Sequence, residues 1–427
     1  MSAYSLRCRV CEEVTVAEPL DACRRCDGPT DMLYDWARIE RVVTRAAVAA
    51  GPASLWRYHD LLPAGAKVDF GAGWTPLVRS ELLSDALGID LHLKLEGENP
   101  TQSYKDRVAT IAASAALDHG VTTLCCSSTG NLADAVAAAA AATGLEAIVL
   151  APVGGESAAV AARHPGARVF AVNGTYDDCR RLELELGLLF PWGFISGNLH
   201  PYASEGAKTI SFEIAEQLDW ELPDAVICPA ASGTLFAKLA QGFAEVTRAG
   251  LAAEPVPRMF AGQALGSSPI ADAFADDRRI SRVEASTLFA SLAVGDPSHG
   301  DLALGAARAS GGAVVAVDEE LILAYTELLS ETTGVAPDCS GGAALGALVA
   351  ATRRGDLAAG SRVVLVVTGA RPTSTVADVV MRGPLWHAMQ PALPSKRSLP
   401  RATPSGSSVV GATGARRAKS HDWSAPF

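Results

Sequence analysis

Residues 122–143 read TTLCCSSTGNLADAVAAAAAAT. Thr122 to Cys126 is a short strand-like run, Ser127 to Asn131 a polar loop with one glycine, and the alanine-rich stretch from near Leu132 a helix. Strand, polar glycine loop and helix start present free N–H groups to an anion at the carboxyl edge of a parallel sheet. Taken alone, the loop is equally an ordinary capped helix start. Working outward, the same alternation runs almost to residue 384. Asp90 to Lys94, Ala147 to Leu150, Val169 to Val172, Ala225 to Cys228, Val314 to Val317 and Val363 to Val367 are short runs of Val, Ile, Leu and Ala separated by helical patterns. Strands without polar alternation are buried on both faces, so the fold class is α/β with a mostly parallel, doubly wound sheet.

Composition agrees with this reading. Hydrophobic residues make up 49% and aromatics only 6%, so the interior is built from Ala, Val and Leu, as in a layered α/β enzyme. A formal net charge of −11 gives no electrostatic footprint for a nucleic-acid backbone. No apolar run reaches the roughly 20 residues of a membrane-spanning helix, and the N-terminus lacks a signal-peptide pattern. A cytoplasmic protein acting on a small molecule, without nucleic acid or membrane, is the expectation.

Three further stretches carry chemistry. Asn99 to Arg107, NPTQSYKDR, leads a hydroxyl-rich turn into a helix beginning near Lys105. An ammonium at a helix N-terminus opposes the macrodipole, which favours the neutral amine that attacks aldehydes; the alternative is a solvated first-turn lysine. Pro229 to Thr234, PAASGT, repeats the strand-loop-helix geometry, so Ala231, Ser232, Gly233 and Thr234 form a second anion cup or a plain capped start. The strand Val363 to Val367 ends in Thr368-Gly369-Ala370-Arg371, placing a hydroxyl at the sheet edge. No GK[ST] element is present, which argues against a nucleoside triphosphatase and leaves a compact phosphate ester.

The ends of the chain differ from its body. Cys8 and Cys11, then Cys23 and Cys26, are two C-x-x-C pairs separated by eleven residues. Four thiolates on two tight turns close a tetrahedron around Zn²⁺ with no open position, so the site is structural; reduced surface cysteines are the alternative. The expected domains are a zinc ribbon at 1–34, a catalytic region at 35–384 with a smaller subdomain at about 110–205, and a disordered Pro/Ser/Arg-rich tail at 385–427. A helix is expected between Leu33 and Arg45, with Trp36, Ile39, Val42 and Val43 on one face.

The order of these motifs resembles the threonine synthase family, pyridoxal 5′-phosphate (PLP) lyases of fold type II, over roughly Cys8 to Thr375. Trp56-Arg57-Tyr58, Leu62-Pro63, Gly73 to Leu77, NPTQSYKDR, SSTGN, Glu205 to Thr209 and Thr368-Gly369 look like that family's successive blocks. The resemblance implies two α/β domains with PLP in the cleft, amino-acid biosynthesis and, at family level, a homodimer. It implies that Lys105 forms the Schiff base and shuttles protons, and that Asn131 bonds the cofactor's phenolic oxygen. It further implies that Ala231, Ser232, Gly233 and Thr234 hold the cofactor phosphate, Thr368 meets the pyridine nitrogen, and Ser127, Ser128, Thr129 and Gly130 receive the substrate carboxylate.

The departures concern the substrate. Gln102 and Tyr104 replace the Gly and Phe of the family's N-P-T-G and S-F-K-D, Ala336-Pro337-Asp338-Cys339 replaces E-P-x-S, and Ala203 stands where the family has a phosphate-binding arginine. Losing that guanidinium removes contacts worth about 1.5 to 3 kcal/mol per hydrogen bond. Arg371 is the candidate replacement anion binder, with Lys208 a second. Threonine formation from O-phosphohomoserine is the leading expectation. A cysteate synthase-like β-replacement on O-phosphoserine, a threonine or serine dehydratase, and a non-catalytic zinc-ribbon scaffold are the alternatives.

Overall fold

The computed structural model describes residues 4–370 apart from 21, 66, 129, 155–159 and 161–162. Thr129, Arg371 and the tail expected at 385–427 therefore lie outside the described residues.

An antiparallel ribbon opens the chain: β1 (Tyr4–Cys8) pairs with β2 (Val14–Val16) on one side and β3 (Thr30–Tyr34) on the other. The helix expected from Leu33 begins later. Leu33 lies opposite Ser5 in β3, and Asp35 then caps a helix at Trp36–Val42 by accepting from the Arg38 amide. The helix ends at Val42, short of the expected Arg45, and Thr44 caps a second short helix at Arg45–Ala49.

The main body has two sheets. The larger contains β4 (Leu77–Arg79) and β5 (Asp90–Leu95); the smaller contains β6 (Thr123–Ser127), β7 (Glu146–Pro152), β8 (Arg168–Val172) and β9 (Gly193–Phe194). The chain then returns to the larger sheet for β10 (Ala225–Pro229), β11 (Arg258–Ala264), β12 (Ala313–Val317) and β13 (Arg362–Val367). The large sheet has the order β12-β11-β10-β13-β5-β4, parallel except for the edge strand β4. The small sheet, β8-β7-β6-β9, is parallel throughout. Every residue of β6 and β10 is buried, as their unalternating apolar sequences require.

Helices cover the sheet faces, and small residues set how closely they approach. Gly206, in the helix Glu205–Gln217, shows the limit: a β-carbon there would lie 2.2 Å from the Arg107 carbonyl oxygen. Two backbones thus touch directly beneath the turn that carries Lys105. Among the described residues, no helix is long and apolar enough to cross a membrane.

Candidate active site

The turn before Lys105 is held by its own polar groups. The Asn99 side-chain amide donates to the Glu96 carbonyl and carboxylate, both at 2.9 Å, while its oxygen accepts from the Gly73 amide at 2.9 Å. The Tyr104 amide donates to the Thr368 carbonyl at 3.0 Å, and the Ala370 amide to the Gln102 carbonyl at 2.9 Å, so this turn and the end of β13 brace each other. Gln102 has φ of +64°, the left-handed region that the family's glycine occupies freely. A side chain there costs about 1 to 2 kcal/mol, which the braced loop offsets.

Lys105 is the first residue of the helix Lys105–Asp118, and its neighbours anchor it. Arg107 is fully buried and donates to Glu96 from Nε at 2.7 Å and to Glu213 from Nη2 at 2.8 Å. Lys94 Nζ lies 2.7 Å from the same Glu213, whose carboxyl is held down to about 2: burial works to raise it, but the adjacent Arg107 and Lys94 outweigh that. Asp106 accepts from the Thr101 amide at 2.6 Å, and burial pushes its carboxyl up to about 6. With both following side chains locked inward, the lysine alone of this triplet lines the cleft.

That cleft, of about 400 Å³, opens at the carboxyl ends of β6, β10 and β13. Ser127, Ser128, Gly130 and Asn131 line it from the small sheet. Ala231, Ser232 and Gly233 line it from the β10 loop, and Thr368 from the end of β13. Thr234 sits just behind, its hydroxyl 3.1 Å from that of Ser232. The structure thus brings together both anion cups, the lysine and the hydroxyl at the end of β13.

The two cups differ in what they offer. No side chain caps the helix Thr234–Arg248, and Ala237 makes the first ladder bond at this end, to the Gly233 carbonyl, so the preceding amides remain open to an anion. Gly233 has φ of +81°, and a β-carbon there would lie 2.7 Å from the His299 carbonyl oxygen, so this cup requires glycine. In the other cup, the Ser127 amide donates to Glu183 at 2.8 Å, the Ser128 amide to Leu150 at 3.0 Å and the Gly130 amide to Ser128 Oγ at 3.2 Å. Among the described residues, its remaining donors are hydroxyls and the first amides of the helix Asn131–Thr143.

For Lys105 the net direction of the pKa shift is opposite to the one that the helix dipole suggests. Burial does act to lower its pKa, but the Tyr104 phenol beside it outweighs that, and the value lies above the ordinary lysine range. The Tyr104 ring centroid is 4.8 Å from Lys105 Nζ.

Other cleft residues escaped the sequence. Tyr176 lines it from the first turn of the helix Tyr176–Gly187, whose capping box of Thr175 and Asp178 signals a helix start without showing where the ring points. The segment Leu288 to Val294 forms another wall with no strand signal at all. Asp338, by contrast, belongs to the Ala336 to Cys339 block that the sequence singles out; it lines the cleft, accepting from Asn131 Nδ2 at 3.3 Å, and burial raises its carboxyl to about 6.

A family model described as pyridoxal-phosphate dependent enzyme matches residues 68–369. The chain belongs to this PLP-dependent enzyme family. A threonine synthase of Methanosarcina acetivorans is 33% identical over 386 residues, covering 88% of this chain and 94% of the relative. One of Mycobacterium tuberculosis is 34% identical over 324 residues, covering 74% and 88%. The structure of maize serine racemase superposes with a TM-score of 0.61 at 22% identity, covering 82% of this chain and all of that one, and shares the fold.

The residues of this PLP-dependent enzyme fit the cofactor: an uncapped helix start over a loop that only glycine can complete suits a phosphate, and a lysine faces it across one cleft. Among the described lining residues, Lys105 and Asp338 are the charged groups. Ala203 is 1% exposed in the core, and the buried Lys208 is committed to Glu205 at 2.6 Å and Glu245 at 2.8 Å, so neither supplies a cation to the cleft.

In the ribbon, the four sulfurs of Cys8, Cys11, Cys23 and Cys26 lie within 4.8 Å of one another. The Val10 and Arg25 amides donate to the sulfurs of Cys8 and Cys23 at 3.3 and 3.4 Å, an arrangement that stabilises thiolates. Backbone hydrogen bonding, from Cys11 foremost, lowers the Cys8 thiol to about 6 against the effect of burial. This set suits a soft, tetrahedral metal ion.

Proposed function

We propose that this enzyme catalyses elimination and replacement at the β- and γ-carbons of a phosphorylated amino acid, in its leading form the conversion of O-phosphohomoserine and water to threonine and phosphate, with the phosphate leaving from the γ-carbon and water adding at the β-carbon. The observation that carries the reading is the single cleft in which Lys105 faces both anion cups. In it, Ser232, Gly233 and Thr234 would hold the cofactor phosphate, Asn131 its phenolic oxygen and Thr368 its ring nitrogen. Bound PLP supplies an electron sink for charge developing at the substrate's α-carbon. Lys105 Nζ moves the proton at that carbon. The hydroxyls of Ser127 and Ser128 receive the substrate carboxylate, with the Asn131 and Leu132 amides beside them.

Among the described lining residues Lys105 is the one cation, which supports a second reading, dehydration of a hydroxy amino acid that brings no phosphate; β-replacement on O-phosphoserine is the phosphorylated alternative. One assay separates them. The PLP-loaded enzyme is given O-phospho-L-homoserine and, in parallel, O-phospho-L-serine, then L-threonine or L-serine, and inorganic phosphate, amino-acid and 2-oxo acid products are measured. Release from phosphohomoserine with threonine as product is expected; silence there with release from phosphoserine selects β-replacement, and silence on both with 2-oxo acid formed from L-threonine or L-serine selects dehydration.

The supporting set of four thiols leads to a further expectation, one structural Zn²⁺ per chain, in a homodimer. Metal analysis and light scattering on the purified protein read both, and a metal-free protein or a monomer refutes the corresponding part.

A further inference from the structure

Two side chains of the N-terminal ribbon reach toward the same loop of the cleft by separate routes. Arg9, in the knuckle between Cys8 and Cys11, is paired with Asp31 at 3.2 Å and extends Nη2 to within 3.5 Å of His299 Nε2. His299 is 4% exposed, and its backbone amide donates to the Ser232 carbonyl at 2.9 Å. The carbonyl of the same residue is the group that leaves Gly233 no room for a β-carbon. His299 is therefore the back wall of the cup, and Arg9 stands behind it.

The second route starts at the other end of the ribbon. The Tyr34 hydroxyl donates to Glu205 Oε2 at 2.7 Å, and Lys208 Nζ sits 4.1 Å from the centroid of its ring. Glu205 is also ion-paired with Lys238, which lies one turn into the helix Thr234–Arg248. All three ionic side chains are buried. Tyr34 thus fixes the carboxylate that fixes the helix whose first turn forms the cup.

We propose that the ribbon is a positioning element for the Ser232–Gly233 loop, with Arg9 and Tyr34 as its two positioning residues. The closed knuckle sets the place of Arg9, the β1–β3 pairing sets Tyr34, and together they hold the cup in the shape that retains an anion. The proposal rests on the reading that this loop holds the cofactor phosphate.

The test uses the full-length protein and reads the PLP dissociation constant by fluorescence quenching. Loss of one hydrogen bond in Arg9→Ala or Tyr34→Phe is expected to weaken PLP binding about threefold to tenfold, and the double variant by about the product of the two. Arg9→Lys is expected to restore part of the loss. Opening the knuckle with Cys8→Ser and Cys26→Ser is expected to weaken binding while making Arg9→Ala nearly silent in that background. Urea midpoints of the PLP-free Arg9→Ala and Tyr34→Phe proteins that match wild type at unchanged slope exclude a general loss of fold.

Gly233→Ala keeps the two ideas apart. If it weakens PLP binding while the Arg9 and Tyr34 double variant binds as wild type does, the ribbon proposal is overturned and the phosphate-loop reading stands. If Gly233→Ala binds PLP normally, the loop reading fails and takes the proposal with it.

Discussion

Lys105→Ala is expected to reduce turnover by about 10²- to 10⁴-fold, the range for loss of a positioned acid–base group, and to abolish the absorption band of tightly held cofactor. The chain is expected to stay folded. Lys105 is half-buried, and its side chain faces the cleft while the neighbouring Asp106 and Arg107 do the anchoring. Circular dichroism and a melting curve close to wild type accompany the loss, which separates chemistry from structure. Lys105→Arg sharpens the result, because a guanidinium keeps the positive charge beside Tyr104 but does not give up its proton. Wild-type turnover in either variant would remove Lys105 from the reaction.

Arg107→Met is expected to have the opposite character, destabilising the chain by about 3 to 5 kcal/mol by leaving buried carboxylates without their partner. Glu96 and Glu213 are both fully buried, and Glu213 retains only Lys94 as a cation in this network. The measurement is the urea midpoint at constant slope. The pH dependence identifies the cause. Glu213 is held down to about 2 in the folded protein, so its pairing contributes stability above the ordinary carboxylate range that is lost as pH falls toward 2. In Arg107→Met much of that contribution is already gone. The deficit relative to wild type therefore narrows on acidification, and a deficit independent of pH would mean that lost packing, not lost charge pairing, is responsible.

The parts of the fold legible in the sequence are those in which a single physical rule dominates. β10 and β13 are buried on both faces, so they read as uninterrupted apolar runs, and the loops that follow them carry hydroxyls and glycine at the sheet edge. The start of the helix at Lys105 was legible too, but the charge of its amine was not. The helix dipole argued for a neutral group, whereas the phenol of the preceding residue, positioned by the turn's bond to Thr368, wins. Leu288 to Val294 had no periodicity to find, since an irregular wall is placed only by what it packs on. Ala203, which the resemblance sets where the family has an arginine, is buried in the core. What replaces that arginine's charge was not legible, because Lys208, the nearby candidate, is spent inside the protein, and Arg371 lies outside the described residues.

The strand order has a bearing on how the chain assembles during its synthesis. The small sheet is made from residues 123–194 without interruption, so its strands emerge consecutively and pair over short separations. The large sheet cannot close in that way. β5 emerges early at residues 90–95, yet its parallel neighbour toward the sheet centre is β13, at 362–367. Until that last strand arrives, β5 and β10 each present an unpaired edge, and the turn bearing Lys105 lacks the Thr368 carbonyl that braces it. The final strand is thus both the keystone of the sheet and the step that completes the cleft, so a chain stopped short of it has neither a finished core nor a finished site.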